Sequence, residues 1–182
     1  MLRVAIVLIA AALSAAPLSA ETLQANTTSN NGGSSGWGMF FDLTANSGPL
    51  TITGMTTAST ASAGAMFSIE VFTRMGSGLG GPVNMGPGSS PAGWTDLGSA
   101  SVTQGATSGG ISMEIDLPDF NIATGQTMGV AIVFNGAGPN YFGTGTPPIQ
   151  HFTDGMLTLD TGDSRTVPFT PTGSFFSSRG LT

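Results

Sequence analysis

The chain has 182 residues, with 10 acidic side chains against 4 basic ones, and no cysteine. Charged residues make up 8% of it, against roughly 25% in ordinary domains. A few scattered arginines cannot neutralise a row of phosphates or hold an anionic lipid surface, and without cysteine there is neither a disulfide framework nor thiol chemistry.

Residues 1–20 read as a signal peptide. Arg3 gives a minimal positive start, residues 4–13 (VAIVLIAAAL) form an apolar run too short for a membrane span, and Leu18, Ser19 and Ala20 supply small-residue cleavage chemistry. Export with cleavage after Ala20 is expected, leaving no membrane span in the remaining chain. The mature chain then carries three arginines against ten acids, a net charge of −7. Export without cysteine suits a bacterial periplasmic or secreted protein.

Residues 21–36 read as a flexible polar lead-in, with a first strand at 22–25. From 37 onward, strands follow one another. Residues 37–44 place Met39, Phe41 and Leu43 on one face, and residues 50–55 alternate Leu50 and Ile52 with threonines. In 67–73, Phe67, Ile69 and Val71 point one way and Ser68 and Glu70 the other. Residues 75–93 (MGSGLGGPVNMGPGSSPAG) form a long loop without strand pattern. A weaker strand follows at 98–103. The strictest alternation spans 111–117, with Ile111, Met113, Ile115 and Leu117 inward and Pro118 as its terminator. Residues 128–134 give Met128, Val130, Ile132 and Phe134 on one face. Weaker signals lie at 156–159 and at Phe175 and Phe176. No window keeps a helical apolar period. The expected fold is an all-β, two-sheet antiparallel sandwich of jelly-roll type over residues 37–182.

The candidate chemical motifs each have a plain structural explanation beside them. Residues 76–81 (GSGLGG) match a dinucleotide fingerprint, but no helix follows to meet a pyrophosphate. Residues 32–36 (GGSSG) match a nucleophile elbow at Ser34, with His151 as the sole histidine to serve it. The flanking elements are in the wrong order for that turn. Glu114 and Asp116 lie two apart on one strand face, roughly 7 Å from each other. That is near the carboxylate spacing of an inverting glycosidase, and also ordinary for a solvated strand face. Asp116, Asp119 and Asn121, and separately Asp154, Asp160 and Asp163, are the candidate calcium ligands. Trp37, Trp94 and Tyr141 are the candidate sugar-stacking platforms, weighed against sealing the ends of the core.

Three stretches, 30–44 (NNGGSSGWGMFFDLT), 92–98 (AGWTDLG) and 125–130 (GQTMGV), together resemble uncharacterised exported bacterial β-sandwich proteins. Some relatives of those proteins carry a PEP-CTERM sorting segment, which is not read in this sequence. The resemblance implies a secreted sandwich and supplies no catalytic residues. The functional expectation is a non-enzymatic structural or interaction module, with self-association or a glycan as partner. The alternative is a carbohydrate-binding module, calcium-assisted or not, and a remote alternative is a glycoside hydrolase.

Overall fold

The computed structural model describes residues 22–143 and 150–182. The expected signal peptide and its cleavage site lie outside the described residues. Eleven strands run in chain order: β1 (Asn31–Gly32), β2 (Gly38–Ala45), β3 (Leu50–Met55), β4 (Met66–Met75), β5 (Thr95–Thr103), β6 (Ile115–Ile122), β7 (Thr127–Asn135), β8 (Asn140–Gly143), β9 (Gln150–Thr153), β10 (Leu157–Arg165) and β11 (Phe175–Gly180). The described residues contain no α-helix, only a 3₁₀ turn at Pro87–Ser89.

The strands form an antiparallel sandwich. The large sheet runs β1-β8-β11-β10-β2-β7-β4-β5, with β9 also on β10, and the opposing layer is the β3-β6 pair. The pairings nest: β4 with β5, β3 with β6 outside that hairpin, β2 with β7 outside both. This is the folded-over hairpin of a jelly roll, with three nested pairs. β10 then joins the far side of β2, and its other edge is shared between β9 and β11.

The core fills the space between the layers as the alternation predicts. Met39, Phe41 and Leu43 of β2 meet Phe67, Ile69 and Val71 of β4 and Val130, Ile132 and Phe134 of β7. Ile115, Leu117, Phe120 and Ile122 close it from the opposite layer. Phe67 and Phe134 stack with ring centroids 6.1 Å apart.

Three local expectations need correction. The strand placed at 111–117 begins at Ile115 and runs through Pro118 to Ile122. Ile111 and Met113 are exposed, while Ile115 and Leu117 are buried. Pro118 is tolerated because the β3-β6 ladder slips there: Ile52 pairs with Phe120 and Gly54 with Asp116, so residues 117–119 oppose Thr53 alone. A proline at such a bulge withholds no ladder hydrogen bond. Second, the polar lead-in is fastened: Asn31 and Gly32 pair with β8, and Asn26 Nδ2 donates to the Leu181 carbonyl at 2.9 Å. Residues 22–25 form no ladder, although Leu23 and Ala25 pack against the core. Third, the weak signal at 156–159 opens a nine-residue strand, because Asp163 and Arg165 occupy positions that look solvated in sequence but are covered, while Asp160 is only half-buried.

Candidate functional site

Strand β2 is buried on both faces, although one of them carries Phe40 and Asp42. The cover on that outer face is the glycine-rich loop 76–93. Gly129 of β7 has no side chain, so the loop backbone lies flat on it: the Gly129 N–H donates to the Gly76 carbonyl at 2.7 Å. A Cβ at Gly129 would collide with the Gly78 backbone. The glycines that mimic a phosphate fingerprint therefore permit close backbone approach to a sheet.

Charged side chains beneath the loop hold it there. The Gly78 N–H donates to Asp42 at 2.7 Å and the Gly80 N–H to Asp163 at 2.6 Å. Arg165, 1% exposed, donates to the carbonyls of Val83 at 2.8 Å, Gly80 at 3.1 Å and Met85 at 3.0 Å. The desolvation of burial raises the Asp42 carboxyl above its ordinary pKa, partly offset by hydrogen bonds from Ser77 and Gly78 and reinforced by Asp160. Asp163 is likewise raised by burial, against the Gly80 N–H and the Arg165 charge. An aromatic group clamps the loop's far end. Trp94 meets Phe40 and Phe169 edge-on at 5.7 and 5.3 Å, and its Nε1 donates to the Pro87 carbonyl at 2.9 Å. Arg74 lies 5.6 Å over the same ring.

The predicted platform residues are therefore already engaged. Trp94 is half-buried as the loop's anchor. Tyr141 is 3% exposed in the core, so it presents no ring to a sugar. Trp37 stacks on Phe176 at 5.6 Å and 18°, with Gly33 against its ring.

The acids are not gathered into a calcium cage. Asp154 Oδ1 caps a turn by accepting the Leu157 and Met156 N–H groups, which hold its carboxyl below the ordinary range. Asp160 pairs with His151 Nδ1 at 2.6 Å, and Asp163 serves the loop. Asp116 and Asp119 are exposed on β6, and Asn121 accepts the Thr51 hydroxyl at 2.7 Å. Among the described residues no three His, Cys, Asp or Glu side chains converge as metal ligands. Ser34 lies in the turn before β2, where its carbonyl accepts the Trp37 N–H. His151, on β9, gives its Nδ1 to Asp160 instead.

A further open space lies elsewhere, between the layers. It is a cavity of about 640 Å³ with Phe41, Leu43, Leu157 and Leu159 among its apolar lining. Strand β3 lines it along one side, and residues 22–26 along with Glu114 complete its rim. Sequence alone gave no sign of it, because its rim joins segments distant in the chain.

No protein-family model, curated protein or solved structure matches the chain.

Proposed function

We propose that the chain is an exported, non-enzymatic interaction module that associates through the edges of its sheets, self-association included. The observation that carries this reading is the edge of β5. β5 ends the large sheet; its other side meets residues 112–113 at its last residue, through the Gln104–Ser112 bridge, and among the described residues no strand pairs with the rest of it. Its nine residues hold one charge, Asp96, which is turned back onto the Gly98 N–H at 2.8 Å. Natural edges are usually guarded by lysine or proline, and this strand has neither. Exposed apolar surface continues from it: Met66 pairs with Thr103 of β5, the Met113 N–H donates to the same Thr103, and both methionines are well exposed.

The export signature in residues 1–20 and the resemblance to exported sandwiches support the placement outside the cytoplasm. Glycan binding has less support, since the three candidate rings already pack against protein.

Sedimentation across a wide concentration range tests association. Oligomers that grow with concentration are expected, and Ser99→Lys with Ser101→Lys should return a monomer. Both serines are exposed, and Ser99 sits opposite Glu70, so a lysine there is compatible with the fold. A wild-type protein that stays monomeric at high concentration would overturn the reading.

A further inference from the structure

The second layer of the sandwich is narrower than the first. β3 pairs with β6 along one edge, and among the described residues no strand pairs with its other edge. The segment 22–26 lines the same cavity as β3. Leu23 and Ala25 point into the core while Thr22 and Gln24 face out, and Asn26 ties the segment to Gln150 and to the Leu181 carbonyl. The segment thus runs as a strand would, yet it does not pair with β3. The 640 Å³ cavity occupies the interval.

Its size and chemistry fit one more strand. Strand spacing, sheet spacing and rise together allot roughly 160 Å³ to each residue of a strand in a sandwich. The cavity therefore holds about four residues. Its floor is apolar, which suits the alternate side chains of a strand. Its β3 wall offers backbone N–H and C=O groups that no described strand pairs, and an acyl chain cannot satisfy them. Glu114 is the one ionisable side chain on the described lining. Its carboxylate lies beside Gly54, 3.4 Å from where a Cβ would stand, so it marks one end of the β3 wall.

We propose that this cavity accepts an extended peptide segment of another protein, apolar at alternate positions and carrying an arginine or lysine that meets Glu114, which adds to the open edge of β3. The site is separate from the β5 edge, so it stands or falls independently of self-association.

The experiment uses the exported chain with ten-residue peptides that alternate valine and threonine and end in arginine, glutamate or neither. Palmitate serves as the acyl comparison. Binding is followed by fluorescence polarisation, and the β3 amides by hydrogen exchange. The arginine peptide should bind best and slow exchange across Leu50–Met55 by about tenfold or more. Glu114→Gln should reduce its affinity severalfold, to that of the uncharged peptide. Ala25→Trp, which fills the slot from the facing segment, should weaken every peptide by about tenfold or more while circular dichroism stays unchanged. Four results would each overturn the proposal. They are no binding by any peptide, binding without protection of β3, binding by palmitate alone, and protection of β3 by a second copy of the chain without peptide. Glu114 is exposed, so its variant keeps the test decisive if Ala25→Trp fails to fold.

Discussion

Asp42 and Asp160 stand directly opposite each other on β2 and β10, in a row that continues to His151 on β9 and, past Gly129, to Arg74 on β4. Only His151 and Asp160 form an ion pair, with side chains 61% and 38% exposed, so it is worth no more than about 1 kcal/mol. Asp42 is 6% exposed and has a like charge for a neighbour. Its raised pKa means that the folded state holds the proton more tightly than the unfolded chain. The stabilisation linked to that proton is complete below the unfolded value and is lost as pH rises through the raised one. Ionised Asp42 is thus a cost at neutral pH. Asp42→Asn keeps an acceptor for the Gly78 N–H and gains a donor toward Asp160. It should stabilise the protein by about 1 kcal/mol at pH 7, in a gap that closes below about pH 4. Denaturant melts across pH would show it, and a variant less stable at neutral pH would contradict the assignment. That Asp42 is an acid in a strand was plain in the sequence. That it is buried was not, because its cover comes from a loop more than thirty residues away.

At the scale of elements, loop 76–93 behaves as an extra layer. Its glycines lie against the sheet, its carbonyls turn down to Arg165, and Trp94 and Phe169 fix its end. Phe169 sits at φ 60°, a left-handed conformation uncommon for a large side chain. Its N–H bond to the Gly88 carbonyl and its ring contact with Phe72 at 4.6 Å hold it there. Gly88 is a tight joint: a Cβ there would meet Arg165 Nε and the Phe40 ring. Gly88→Ala should therefore destabilise by about 1–3 kcal/mol and open the loop to proteolysis. Gly48→Ala, where nothing lies within 4 Å, should stay within about 0.5 kcal/mol. Equal effects at the two glycines would mean that the loop does not press on the sheet. The loop's boundaries were legible from its glycine and proline content. Its role as a lid over an aromatic and arginine-rich face was not, since no local period records contacts between distant segments. The strand at β6 shows the converse error: alternation at 111–117 is genuine, but pairing with β3 decides which half is strand.

At the scale of the molecule, the scarcity of charge has a measurable consequence. Among the described residues one exposed ion pair is formed, and the buried charges are bonded to backbone rather than to partners of opposite sign. The melting temperature should shift by no more than about 2 °C between about 0.05 and 0.5 M salt. Differential scanning calorimetry would test this, and a loss of many degrees would require ion pairs that the described residues do not form. The sequence by itself determined the all-β class, the inward faces of β2, β4 and β7, and the turns between them. These follow from side-chain period and from residues that tolerate turn geometry, both of which are local. The tertiary structure alone decided that Trp94 anchors a loop, that Tyr141 is core, that Asp42, Asp154 and Asp163 serve backbone groups, and that no described strand pairs with the second edge of β3 beside an apolar cavity. Those outcomes depend on which strands pair, and pairing is a choice among distant partners that no short stretch of sequence encodes.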